Sequence, residues 1–195
     1  MYSKYIFLHL SKKCMKRLVI IDNEDSFIYN IAHKIKEVNS FISIEIIKQE
    51  EATSSQIEQF DYIILSPGPG LPQESSGMMN LISEFYTKKK ILGVCLGHQA
   101  INLFFGGRLK KMPKICHGQK TQIFTSTEPY FATLYNSWCI DEDYLPDCLE
   151  VTARDNNYNI MAIRHKSLPI LGVQFHPESI ASDCHKIIFE PFISL

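Results

Sequence analysis

The sequence predicts an α/β fold: a mostly parallel central sheet with helices on both faces, flanked by a small antiparallel sheet. Three observations lead there. Short, nearly unbroken apolar runs at Leu18–Asp22, Tyr62–Leu65 and Ile91–Val94 have the length and character of strands buried on both faces. Stretches with apolar residues at helical spacing separate them, which is the alternation of a parallel sheet. Beyond Gly107, short strand-like runs follow one another with little helix between, the pattern of antiparallel strands.

Taken in order, Leu18–Asp22 is the first strand. Asp25 and Ser26 can cap the next helix, where Phe27, Ile28, Ile31, Ala32, Ile35 and Val38 recur at helical spacing. Ile42–Ile47 reads as the second strand and Tyr62–Leu65 as the third, which ends in Ser66-Pro67-Gly68-Pro69-Gly70. Met78–Tyr86 suits a helix and Ile91–Val94 a fourth strand. Gly97–Phe105 carries Ala100, Ile101, Phe104 and Phe105 at helical spacing and stops at Gly106-Gly107. The later runs are Gln122–Thr125, Leu149–Arg154, Ile160–His165 and Ile170–Phe175. In such a sheet the crossovers are right-handed and ligands gather at the carboxyl ends of the strands.

A chain of 195 residues fits one domain. Residues 16–195 are read as that domain and residues 1–15 as an N-terminal extension without a function, because regular structure begins just after Met15. The apolar centre of that extension is too short and interrupted for an export signal. A formal net charge of −1, with no basic run longer than three residues, points away from nucleic acid and from anionic membranes. No apolar run approaches the ~20 residues of a membrane helix. Six cysteines, at 14, 95, 116, 139, 148 and 184, match neither a disulfide framework nor a zinc site. A reducing, cytoplasmic setting is expected.

One cysteine stands apart. Gly93-Val94-Cys95-Leu96-Gly97 lies between a strand and a helix, as a cysteine version of the nucleophile elbow. The turn exposes the central side chain, and the following helix N-terminus favours the thiolate and offers N–H groups to an oxyanion. Taken alone, such a motif is more often a packed cysteine. A nucleophile needs a base and a group to orient it. Gln174-Phe175-His176-Pro177-Glu178 follows a strand-like run, so His176 as proton acceptor and Glu178 as its partner can share an edge with Cys95. The stiff, glycine-bearing Ser66–Gly70 loop, an ordinary turn on its own, can supply a second oxyanion donor beside the Leu96 N–H. His33 and His185 read as helical and inert, and His165 as a strand residue. Phosphate binding is disfavoured, since no phosphate-loop pattern occurs.

Together these segments resemble the class I (triad) glutamine amidotransferases, whose fold is flavodoxin-like. The resemblance is strongest to the small subunits (component II) of the synthases making anthranilate and aminodeoxychorismate. It rests on DNEDSFIYNIAHKI at 22–35, LSPGPGLP at 65–72, ILGVCLGHQAINLFFGG at 91–107, HGQKT at 117–121, YNSW at 135–138 and GVQFHPESI at 172–180. It implies that Cys95, His176 and Glu178 hydrolyse L-glutamine through a thioester. Gly68 and Leu96 would form the oxyanion hole, and Gly68, Pro69, Gly70, Gln99, Ser137 and Trp138 would line the glutamine site. The ammonia passes to a chorismate-binding large subunit. No cofactor or metal is implied for this chain, whereas Mg²⁺ is expected in the partner. His98 is expected to pack, and His117 to stand near the glutamine pocket without a catalytic role.

Some positions depart from the family pattern. Leu134-Tyr135-Asn136-Ser137 stands where Arg-Tyr-His-Ser is usual, and Glu24 replaces a tyrosine. The segment between Phe124 and Leu134 is short, and Ser182-Asp183-Cys184-His185 lacks the usual glycine. These bear on coupling to the partner more than on glutamine hydrolysis. The aminodeoxychorismate (folate) branch is slightly favoured over anthranilate (tryptophan). The alternatives are the amidotransferase subunit of another synthase, such as GMP synthase, and a non-catalytic regulatory subunit.

Overall fold

The computed structural model describes residues 16–74 and 76–194, so residues 1–15 lie outside the described part. Its strands are β1 (Arg17–Asp22), β2 (Ser43–Lys48), β3 (Tyr62–Leu65), β4 (Lys90–Val94), β5 (Leu109–Lys111), β6 (Gln119–Thr125), β7 (Tyr130–Leu134), β8 (Trp138–Ile140), β9 (Leu149–Asp155), β10 (Ile160–His165) and β11 (Ile170–Val173). Its helices are α1 (Ile28–Val38), α2 (Ser54–Ile57), α3 (Ser76–Phe85), α4 (Leu96–Phe104) and α5 (His185–Ser194).

Nine strands form one sheet in the order β2-β1-β3-β4-β11-β10-β9-β6-β7. The first five run parallel, and the remaining pairs are antiparallel. The parallel strands are apolar on both sides because both sides are covered. In β1, Leu18 and Ile20 join the core containing Ile31 and Ile35 of α1 and Phe189 and Phe192 of α5. Val19 and Ile21 join the opposite core, with Leu81 and Ile82 of α3 and Ala100 and Ile101 of α4. Each such fully buried aliphatic contributes about 1.5–3 kcal/mol relative to exposure. Tyr62 adds a tie across its layer, its hydroxyl donating to the Ile193 carbonyl at 2.9 Å.

The sequence reading and the structure differ in three places. Most of the antiparallel strands extend the central sheet, and β5 and β8 alone make the separate small one. Asp25 and Ser26 do not cap α1. Instead Asp25 Oδ1 accepts the Phe27 N–H at 3.1 Å, and the helix starts at Ile28. Phe27 therefore stays outside the apolar stripe, at 58% exposure. The sequence reading also lacks β5, β7 and β8, which have only three, five and three residues, too short for periodicity to mark. Among the described residues no helix is long and apolar enough to cross a membrane.

Candidate active site

Strands β3, β4 and β11 are parallel neighbours, with Leu65 and Gly172 flanking Gly93. Their carboxyl ends therefore emerge together, and the segments Ser66–Gly70, Cys95–Gly97 and Gln174–Glu178 share one edge. Cys95 sits at φ 52°, ψ −98°, an uncommon conformation for a residue with a side chain, costing about 1–3 kcal/mol. Its N–H donates to Val173 O at 2.8 Å, tying the elbow to β11.

Beyond β11 the chain keeps an alternating direction. Gln174 and His176 face the elbow side, while Phe175 packs edge-on against Tyr130 in the core, with ring centroids 5.7 Å apart. His176 Nδ1 and Glu178 Oε1 are 2.7 Å apart, and both residues are buried. The segment is pinned from outside. The His176 N–H donates to Thr133 O at 2.9 Å, and Ser182 Oγ donates to His176 O at 2.7 Å while accepting the Thr133 N–H at 2.9 Å. Asp183 Oδ1 accepts the Phe131 N–H at 2.9 Å. Ser182 and Asp183, where the sequence departs from the family pattern, thus clamp the loop carrying His176 to β7.

Burial by itself pushes the His176 imidazole toward neutrality. Cys95, followed by Glu178, outweighs it and holds the ring well above its ordinary range. Nε2, the nitrogen not engaged by Glu178, is buried without a conventional hydrogen bond, so we take its coupling to Cys95 as charge on charge. Asp25 stands behind this pair. Burial raises its carboxyl, the Phe27 N–H opposes that, and the Glu178 charge adds to the rise.

His98 packs, as expected. It is fully buried on α4 against Gly172, where a Cβ would meet Nδ1 at 2.7 Å. Burial pushes its imidazole down to about 3. On acidification the unfolded chain protonates this residue near its ordinary value of about 6.5 while the folded chain refuses the proton. Stability from His98 is thus present at neutral pH and is lost as pH falls from about 6.5 toward 3, at up to about 1.4 kcal/mol per pH unit. Urea unfolding between about pH 6 and about pH 4 should give a flatter slope for His98→Asn than for the parent. Equal slopes would mean that His98 is protonated in the native state.

On the glutamine side, Gly68 lies tightly against Asn23 and the Leu96 side chain, so the two expected oxyanion donors belong to adjoining segments. Asn23 Nδ2 donates to Ser66 O at 3.2 Å and the Asn23 N–H to Ser66 Oγ at 2.9 Å, latching the two loops together. As first residue of α4, Leu96 has no intrahelical acceptor for its N–H. Gln99 Nε2 donates to Trp138 O at 3.1 Å, joining α4 to the Ser137-Trp138 segment. Pro69 lines a cavity of about 230 Å³ together with Asn23, Glu24, Glu74 and Leu96. Gly70 turns at φ 74° against the Glu74 carboxylate.

Two residues quoted in the sequence motifs without a role in the site stand within it. Asn136 is buried, its Nδ2 donating to Trp138 O at 2.9 Å and to Met112 Sδ at 3.1 Å. Gln174 is wholly buried, with Nε2 3.5 Å from Cys95 Sγ. Its place two residues before His176 was the available signal, because a two-residue step in extended chain keeps the same face. His117 reaches the base only through Tyr135, whose ring lies edge-on to His117 at 5.4 Å and to His176 at 5.1 Å.

Residues 19–195 match the family described as Glutamine amidotransferase class-I. The bifunctional protein TrpGD of Thermotoga maritima is 40% identical over 191 residues, which are 93% of this chain and 32% of that protein. The chain therefore spans about a third of that relative's length. The aminodeoxychorismate/anthranilate synthase component 2 of Bacillus subtilis is 38% identical over 186 residues, covering 90% of this chain and 95% of that one. A crystal structure from Thermoplasma acidophilum, described provisionally as one subunit of a GMP synthase, superposes with a TM-score of 0.81 at 23% identity, covering 92% and 93% of the two chains. At that identity the likeness concerns the fold.

Proposed function

The chain belongs to the class I glutamine amidotransferases, and on that premise we propose that it is the glutaminase subunit of a chorismate-aminating synthase. The observation that carries the reading is the buried His176–Glu178 pair, 2.7 Å apart, at the same sheet edge as a cysteine at positive φ. In the proposed reaction the Cys95 thiolate attacks the side-chain carbonyl carbon of glutamine. The carbonyl oxygen becomes an oxyanion facing the Gly68 and Leu96 N–H groups. The C–N bond breaks as His176 gives its proton to the leaving nitrogen, releasing ammonia and leaving a thioester on Cys95. His176 then takes a proton from water, the hydroxide attacks the thioester, and the C–S bond breaks to give glutamate and free Cys95. Glu178 holds the ring through Nδ1 and balances its positive charge throughout.

The relative from Bacillus subtilis carries both branches in its name, which supports a chorismate synthase and leaves the folate and tryptophan branches to experiment. A GMP synthase role has support only from fold likeness. The five cysteines among the described residues are all free, in keeping with a reducing cytoplasm. The decisive assay is glutamate release from glutamine, with the chain mixed in turn with the anthranilate and aminodeoxychorismate large subunits plus chorismate. Stimulation by one identifies the branch. No release with either would end the chorismate reading.

The docking face we assign to the large subunit lies beside the base. A cavity of about 360 Å³ is lined by Phe27, Asn30, Tyr135 and Ile180 next to His176 and Glu178. Phe27 is 58% and Ile180 95% exposed, an apolar rim on a site that needs its partner. Ile180→Asp should weaken association at least about tenfold, without moving the thermal unfolding midpoint. Stimulated glutamate release, followed as the large subunit is titrated in, measures this, and an unchanged half-saturation point would place the interface elsewhere.

A further inference from the structure

The structure assigns to Gln174 a task in the proposed chemistry: its amide N–H hydrogen-bonds the Cys95 sulfur and favours the thiolate that attacks glutamine. The assignment rests on the nucleophile reading above and adds a fourth side chain to it.

The orientation of the amide follows from a fixed point. Trp138 O is a backbone carbonyl and can only accept, so the Gln99 side-chain atom 3.1 Å from it must be the nitrogen. That same Nε2 lies 3.1 Å from the Gln174 side chain, which must therefore present its oxygen. Gln174 Nε2 is then left pointing at Cys95 Sγ, at 3.5 Å. A second amide, Asn136, donates to the same carbonyl at 2.9 Å and steadies the fixed point. Gln174 is wholly buried, with its backbone N–H donating to Met161 O at 2.8 Å, so its side chain has little room to turn.

A donor at this place has a chemical consequence. Among the side chains near Cys95, His176 stabilises the thiolate by charge and then gives up its proton during the reaction. Gln174 is neutral, cannot titrate and keeps its N–H through the cycle. It can hold the sulfur when the thiolate is expelled from the thioester, at the step where the imidazole is again collecting a proton. A hydrogen bond from a neutral donor to an ion is stronger than one between neutral groups, so removing it disfavours the thiolate more than the thiol.

The test uses the full chain with its synthase partner. Cys95 alkylation by iodoacetamide is followed against pH by peptide mass mapping, which separates Cys95 from the half-buried Cys148. In Gln174→Met, of similar length but without the donor, the pH of half-maximal alkylation should rise by about one unit. Stimulated glutamate release should fall about tenfold or more in kcat, with a smaller change in KM. Gln174→Glu, which keeps the shape and puts a carboxylate beside the sulfur, should raise the half-point further. Circular dichroism and the unfolding midpoint show whether each variant is folded, and Gln174→Glu decides if Gln174→Met is not. A folded variant that loses activity with an unchanged alkylation profile would reduce Gln174 to a packing residue and overturn the assignment. The profile is read on the sulfur itself, so absence of glutamate release by the parent chain would defeat the glutaminase reading without touching this measurement.

Discussion

Cys95→Ser is expected to lower glutamine-dependent product formation by the synthase complex by about three orders of magnitude or more. Ammonia-dependent synthesis should stay within about twofold, since it bypasses this subunit. The size of the loss follows from the His176 environment. Cys95 and Glu178 hold the imidazole well above its ordinary range, overriding burial, so the site favours the imidazolium that accompanies a thiolate. Such a ring serves a thiolate, which attacks without further deprotonation. A serine hydroxyl keeps its proton near neutral pH and must lose it as it attacks, so it is a far weaker nucleophile at this position. The serine also removes the negative charge that helped keep the ring protonated, so the charge balance of the pair changes along with the nucleophile. Product assays with glutamine and with ammonium, on the same preparation, measure both arms. Retained glutamine-dependent turnover would mean that another group attacks, and loss of both arms would mean that the substitution breaks the complex or the fold.

The parallel half of this fold was legible because burial on both faces forces a composition that survives in one sequence. Leu18, Val19, Ile20 and Ile21 have to be apolar whichever way they point, and the elbow that follows β4 stands out against that background. The juxtaposition of Cys95 with His176 was legible because each follows such a strand, and strand ends on one edge of a parallel sheet are neighbours. Strand order was not legible. It depends on which apolar faces meet, and nothing local to Ile170–Val173 says that it inserts beside β4.

The amides were hidden for a different reason. Gln174 and Asn136 matter through the direction of an N–H, and that direction is fixed by Trp138 O and Gln99, far away in sequence. A glutamine at the end of a strand-like run shows nothing of its amide direction until its partners are known. Phe27 failed in the opposite sense. It has helical spacing to Ile31 yet lies ahead of the first turn, because Asp25 closes a local turn onto its N–H and delays the helix. The exposed ring that results belongs to the proposed docking face, where binding rather than folding would explain an apolar residue.

Gly93→Ala is expected to cost about 3 kcal/mol or more of stability and to abolish glutamine hydrolysis in whatever protein folds. The reason lies in how closely α4 crosses the strand ends. A Cβ on Gly93 would lie 2.6 Å from His98 N and closer still to the carbonyl group of Gly97. A Cβ on Gly97 would in turn lie 2.7 Å from the Leu65 Cβ and closer to the Leu65 carbonyl oxygen. These obstacles are mostly backbone, so no rotamer change relieves them and α4 has to lift. Lifting α4 carries away the Leu96 N–H, Gln99 and the packing of Ala100 and Ile101 against the sheet. It also frees the tension that holds Cys95 at φ 52°. Displacements of about 1 Å at a reacting group cost about a hundredfold in rate, so activity should vanish before the fold does. Gly106→Ala is the control. Its φ is +96° but a Cβ there meets nothing within 4 Å, so backbone conformation alone should cost about 1–2 kcal/mol and leave the site intact. Urea unfolding midpoints and stimulated glutamate release for both variants separate strain from collision. A Gly93→Ala chain that unfolds with the parent and still releases glutamate would mean that α4 has room to move, and that the elbow owes its geometry to something other than the two glycines.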